Sequence, residues 1–174
     1  MSLDNSPEGT RLALLRLVEQ GVILTQPAGS ARLYRLNPDH LAFQHIVGLA
    51  SIGNTLIDRL RHAITDAPIP PIYAAMFGSA ARQEMTPTSD IDLFFVRPDE
   101  ADDEVWKEWL HKLALHISSW TGNDVRPLVL AESEVRAGIA QAAPILESIA
   151  AEEVCLAGHR DWLRKLQREL RSKH

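Results

Sequence analysis

The strongest constraint on this chain is a pair of short motifs, Gly78-Ser79 and Asp90-Ile91-Asp92, with ten residues between them. Each stands at the end of an apolar run: Ile72-Tyr-Ala-Ala-Met-Phe stops at Gly78-Ser79, and Asp90-Ile-Asp opens Leu93-Phe-Phe-Val. Short apolar runs bounded by turn signals read as buried strands. A strand that ends in Gly-Ser and turns into a helix aims backbone N–H groups and a hydroxyl at one point. The glycine lets an anion approach the main chain, and a helix N-terminus favours negative charge. In a strand, side chains i and i+2 leave the same face, so Asp90 and Asp92 point one way, about 7 Å apart along the chain. Two carboxylates held together and partly desolvated raise each other's pKa. A divalent cation removes that penalty, and oxygen-only ligands favour Mg²⁺ or Mn²⁺. Phosphate oxygens held at Gly78-Ser79 and a metal held by Asp90 and Asp92 make a Mg²⁺–nucleoside triphosphate site. It is not a P-loop, because no Gly-Lys-[Ser/Thr] follows the glycine.

The spacing Gly-Ser, ten residues, Asp-x-Asp resembles the signature of the DNA polymerase beta-like nucleotidyltransferase superfamily. Phe77-Gly-Ser-Ala-Ala-Arg82 and Ser89-Asp-Ile-Asp-Leu93 resemble its minimal nucleotidyltransferase branch. The likeness covers about residues 70–97 by motif and continues to about 158 by element order. It implies that Gly78 and Ser79 hold the triphosphate, with Arg82 as a further nucleotide-binding candidate, and that Asp90 and Asp92 are the catalytic metal ligands. It also implies transfer of a nucleoside monophosphate from an NTP, taken as ATP, to a hydroxyl acceptor. Minimal nucleotidyltransferases often pair with small all-helical toxins, some of which they modify with AMP, so a protein acceptor or toxin partner is expected. Two departures stand out. Gln83 follows Ala81-Arg82 where the family usually has Gly, and the next core strand, Val125-Arg-Pro-Leu-Val-Leu-Ala, carries no acid where the superfamily has a third carboxylate. Asp124 and Glu132 flank that strand and would have to reach in from its ends. Pro127 marks it as an edge or irregular strand. This second departure favours the alternative, a nucleotide-binding regulator or antitoxin-like partner with weakened catalysis.

The rest of the chain reads as alternating elements. Pro7–Gln20 is a helix capped by Ser6 and ended by Gly21, followed by strands Val22–Thr25 and Ala31–Leu36 around a Pro27–Ser30 turn. A long amphipathic segment runs from His40 to Thr65, and Asp66-Ala-Pro-Ile-Pro-Pro breaks it. After the two motif strands come a helix over Glu104–Trp120, the strand Val125–Ala131, and a helix over Glu132–Ala151 kinked near Pro144. A short strand at Val154 and a last helix from Arg160 complete the chain. The pattern indicates an α/β (α+β) nucleotidyltransferase fold, a small mixed sheet flanked by helices. The expected divisions are 1–39 as a partial winged-helix segment, 40–65 as a connecting helix, 66–158 as the nucleotidyltransferase domain and 159–174 as a C-terminal helix.

The first segment resembles the last helix and wing of a winged helix-turn-helix module. The two helices that precede these elements in such modules have no counterpart here, so a truncated or degenerate module is expected. If it touches DNA, Arg11 and Arg16 on the helix and Arg32 and Arg35 on the wing are the phosphate-contact candidates. Residues 1–37 hold four Arg against three acids, whereas the whole chain of 174 residues has a net charge of −5, which excludes a nonspecific polyanion binder. A single Cys excludes stapled secreted scaffolds and multi-cysteine zinc sites. No basic-then-apolar leader opens the sequence, no run reaches the roughly 18 apolar residues of a membrane span, and a cytoplasmic protein is expected.

Plainer readings exist for each residue. Ser79 could cap its helix while also serving phosphate, and Arg82 could pair with Glu84 as readily as with phosphate. His111 and His116, five apart, share no helix face well. Trp106, Trp109 and Trp120 are expected to pack a helix on the sheet, and Cys155 to be a small buried apolar residue.

Overall fold

The structure, a computed structural model, describes residues 6–82, 84, 86 and 89–172. Gln83 lies outside the described residues. The chain divides between Ile52 and Gly53 into two units.

In the first unit, Ser6 Oγ accepts from Gly9 N at 3.1 Å and Pro7 opens the first turn of α1 (Pro7–Glu19). Strands β1 (Ile23–Ala28) and β2 (Ala31–Leu36) pair antiparallel with Ala28 opposite Ala31. The turn is therefore Gly29-Ser30, and Pro27, expected in the turn, lies within β1 instead. A two-stranded hairpin has only edges, so a residue without an N–H is tolerated there. Asn37 Nδ2 donates to Gly21 O at 2.8 Å and ties the end of the hairpin to the end of α1. The unit continues into α2 (Phe43–Ala50).

The amphipathic segment from His40 to Thr65 is not one helix. Ser51 Oγ donates to Val47 O at 2.7 Å, the chain leaves helical geometry there, and α3 (Ile52–Thr65) begins afresh. A serine hydroxyl that competes for backbone carbonyls, between Gly48 and Gly53, makes this the weakest point of the segment.

The second unit is a sheet covered on both faces. After α3 come β3 (Tyr73–Phe77), α4 (Gly78–Ala81), β4 (Ile91–Arg97), α5 (Asp103–Thr121), β5 (Val125–Ala131), α6 (Glu132–Ala140), α7 (Pro144–Glu152), β6 (Val154–Ala157) and α8 (Trp162–Arg171). The strand order is β5-β4-β3-β6. Only β4 and β5 run parallel, as the long α5 crossover between them requires. Strand β5 is an edge, as Pro127 implied. The helix expected over Glu132–Ala151 is broken outright rather than kinked. Pro144 cannot donate to the carbonyl four residues back, and Ala142 turns the chain at φ 53°.

Alternate residues of the central strands enter two cores. Ala74, Met76, Ile91, Leu93 and Phe95 meet Leu60 and Ile64 of α3 and Trp106, Leu113 and Ile117 of α5. Tyr73, Ala75, Phe94 and Val96 meet α6, α7 and α8 through Val135, Ile149 and Leu163. Burial on both faces is why β3 and β4 read as continuous apolar runs without alternation. Phe95 is edge-on to Trp106 and Trp109, with ring centroids at 6.2 and 5.6 Å. Trp120 is half-buried, stacked on His116 and under the Arg59 guanidinium. Cys155 is only partly buried. Among the described residues no helix is long and apolar enough to cross a membrane.

All four tryptophans lie in the second unit, so their fluorescence reports its unfolding. Phe95→Ala, at a fully buried position, is expected to destabilise that unit by about 3–5 kcal/mol. A urea midpoint unchanged from wild type would contradict the two-sided core.

Candidate active site

The two motifs meet because of one register. In the antiparallel β3–β4 ladder Phe77 lies opposite Asp92, so the residue after Phe77 stands beside the Asp92 side chain. That residue is Gly78, at φ 69°. A Cβ on it would lie 2.6 Å from Asp92 Oδ2, closer than any real Cβ contact. Two demands therefore fall on one residue, a left-handed backbone and room for a carboxylate, and only glycine meets both.

Past Gly78 the chain enters α4 at once. The N-cap position belongs to Phe77, with no side-chain cap, so Ser79 lies within the first turn rather than capping it. The N–H groups of that turn have no intrahelical acceptor. The turn begins at the sheet end where Asp92 stands, since Phe77 pairs with Asp92.

Asp90 directly precedes β4, and Asp92 is its second residue. Both share the strand face of Phe94 and Val96, at the end where that face opens. The approach to Asp90 is fixed by hydrogen bonds. Asn123 Nδ2 donates to Ser89 O at 2.8 Å, Ser89 N donates to Thr86 O at 3.0 Å, and Ile91 N donates to Asp124 O at 2.8 Å. Partial burial pushes the Asp92 carboxyl above its usual range, the Asp90 charge adds to this, and Arg126 opposes it.

Arg126 is the residue that sequence reasoning passed over. It stands beside Asp92 in the parallel β4–β5 ladder, and its Nη2 lies 2.8 Å from Asp90 Oδ2. A guanidinium thus occupies the strand from which a third carboxylate was sought. Glu132 cannot supply one: it follows the far end of β5, where Ala131 pairs with Arg97, and its Oε1 is 2.6 Å from Arg136. Asp124 lies at the correct end of the sheet but is exposed. Among the described residues no group of three His, Cys, Asp or Glu side chains is placed to hold a metal ion. Asp90 and Asp92 are oxygen donors on one face, and the partly desolvated Asp92 carboxylate fills the space that a Cβ on Gly78 would need. These two oxygen donors would suit a hard divalent cation such as Mg²⁺ or Mn²⁺.

Arg82 leaves the C-terminus of α4 and meets two carboxylates, Glu84 Oε2 at 2.8 Å and Glu152 Oε2 at the end of α7. The Glu84 partner is legible from local sequence, whereas Glu152, seventy residues away, carries no local signal. Arg11 is held by Glu8 at 2.8 Å, and Arg32 and Arg35, three residues apart on β2, leave opposite faces.

Residues 57–138 match the family model described as nucleotidyltransferase domain. Over that span the chain is similar to a nucleotidyltransferase domain. The matched span runs from α3 through α6 and contains Gly78, Ser79, Asp90, Asp92 and Arg126. No curated protein matches the chain. Among solved structures, a toxin–antitoxin with AMP-PNP is similar over 67% of this chain and 85% of its own, at 16% identity and a TM-score of 0.48. A tri-AMPylated Shewanella oneidensis HEPN toxin in complex with MNT antitoxin matches over 70% and 85%, at 15% identity and 0.44. The toxin–antitoxin MntA–HepT matches over 69% and 85%, at 15% identity and 0.44.

Gly78 and Gly122 offer a matched pair. Both have positive φ, but a Cβ on Gly122 would meet nothing within 4 Å. Each change to Ala is expected to carry a backbone penalty of about 1–3 kcal/mol. Gly78→Ala should add to that the displacement of Asp92. Equal losses of stability in the two variants would show that the second unit does not need that close approach.

Proposed function

We propose that the nucleotidyltransferase domain moves a nucleoside monophosphate from an NTP, taken as ATP, to a hydroxyl acceptor in a Mg²⁺-dependent reaction. The acceptor oxygen forms a bond to the α-phosphorus and releases its proton to solvent, the bond from that phosphorus to the bridging oxygen of the β-phosphate breaks, and pyrophosphate leaves. The observation that supports the reading is the Asp92 carboxylate lodged where a Cβ on Gly78 would stand, with both motifs at one sheet end.

Asp90 and Asp92 would hold the cation. When bound, it supplies charge neutralisation at the triphosphate and acidifies the attacking hydroxyl. Gly78 admits phosphate oxygens to the main chain, and the first-turn N–H groups of α4 with the Ser79 hydroxyl orient them. Arg82, held by Glu152, secures α4 against α7 and keeps that cradle in place. The contribution of the chain is positioning and fixed charge, the two effects that dominate transfer at phosphorus. The resemblance read from the sequence points to a hydroxyl on a partner protein as the acceptor.

One observation favours a second reading. Arg126 stands on β5 where a third carboxylate would complete a two-cation site, and a guanidinium can take no part in deprotonating the acceptor. A protein of this kind could keep the nucleotide and act as a regulator or antitoxin-like partner.

Asp90→Ala and Asp92→Ala are each expected to weaken Mg·ATP binding by at least about tenfold, the order set by losing a charged ligand. Calorimetry showing unchanged affinity would overturn the site. Incubation with α-phosphate-labelled ATP, Mg²⁺ and candidate protein acceptors then separates the readings. Label transfer that disappears in Asp92→Ala supports the enzyme, and binding without transfer supports the regulator.

A further inference from the structure

The ion pair between Arg126 and Asp90 has a consequence for how a cation reaches the site. The two side chains differ in freedom. Asp90 is largely enclosed, with 27% of its side chain exposed, whereas 72% of the Arg126 side chain is exposed on the edge strand. Arg126 shares the face of Leu128 and Leu130, whose side chains pack beneath the same sheet surface. The guanidinium therefore lies over the carboxylates from the open edge, with its own stem rooted on the face they share.

A carboxylate oxygen engaged by a guanidinium and also facing a divalent cation would place two positive groups side by side. That repulsion is strong over a few ångströms in a partly desolvated site. The cation and Arg126 therefore compete for Asp90. A triphosphate changes the balance, because its oxygens accept a guanidinium in the same forked geometry as a carboxylate.

We propose that Arg126 is the resident counter-ion of Asp90 and makes cation binding conditional on nucleotide. Without nucleotide it holds Asp90 and keeps the bare metal weakly bound. When a nucleoside triphosphate arrives with its cation, the guanidinium passes from Asp90 to the phosphates, and Asp90 joins Asp92 on the metal. The proposal rests on the Mg²⁺–triphosphate reading of the site and adds to it a positioning residue that couples two ligands. No covalent step is involved.

The test is Mn²⁺ binding by the full chain, followed by electron paramagnetic resonance, in wild type, Arg126→Gln, Arg126→Lys and Asp92→Ala, with circular dichroism confirming that each variant is folded. Without nucleotide, Arg126→Gln should bind Mn²⁺ about tenfold more tightly than wild type, as removal of a directly competing charge predicts. Arg126→Lys, which keeps the charge, should stay near wild type. With a non-hydrolysable ATP analogue present, the advantage of Arg126→Gln should disappear. Equal Mn²⁺ affinity in wild type and Arg126→Gln, with binding lost in Asp92→Ala, would overturn the counter-ion role and leave the metal site standing. Absence of Mn²⁺ binding in wild type and Arg126→Gln alike, or binding indifferent to Asp92→Ala, would overturn both.

Discussion

The arrangement of this protein turns on one register. With Phe77 opposite Asp92 in the β3–β4 ladder, the glycine that ends β3 and the carboxylate that opens β4 are neighbours in space. A shift of one residue would send Asp92 to the other face, into the apolar layer under α3 and α5, and draw Ile91 out to the open end. The register is held by burial on both sides. Tyr73, Ala74, Ala75, Phe94, Phe95 and Val96 are all fully buried, so no slipped pairing keeps both cores filled. The chemistry at the sheet end therefore depends on packing well away from it.

The electrostatics of that end are a balance among three side chains. Asp92 is pushed toward its neutral form by burial and by Asp90, and pulled back by Arg126. Arg126 meets Asp90 directly, at 2.8 Å. A pair of acids that would repel each other is thus kept folded by a cation of the chain's own, drawn from the edge strand. An edge strand suits this role: one side of β5 has no partner strand, so a long side chain there can leave without disturbing a ladder or a core. The same edge position accommodates Pro127.

Much of the fold was legible in the residues. The motif strands, the capped helix α1, the helix α5 and the edge character of β5 follow from local rules of turns, caps and apolar runs. Three features did not. The breaks at Ser51 and at Ala142 lie inside segments whose apolar spacing continues through them, so periodicity alone joins what a hydroxyl or a proline separates. The hairpin turn closes at Gly29-Ser30, because an unpartnered hairpin admits Pro27 where a sheet interior would not. Arg126 and Glu152 escaped for another reason. Each acts through a partner distant in sequence, and an arginine on an exposed strand or a glutamate closing a helix looks like ordinary surface until the strand order is known.

By itself the sequence determined the kind of chemistry available: a glycine and serine at the end of one apolar run and two acids of equal parity at the start of the next, since parity and turn preference are properties of the local chain. Only the tertiary structure decided what those groups face. Which residue of β5 stands beside Asp92 depends on how far the α5 crossover carries the chain before it pairs, and no local rule specifies that offset. The outcome, a guanidinium beside the carboxylates instead of a third acid, is a matter of register between strands more than thirty residues apart.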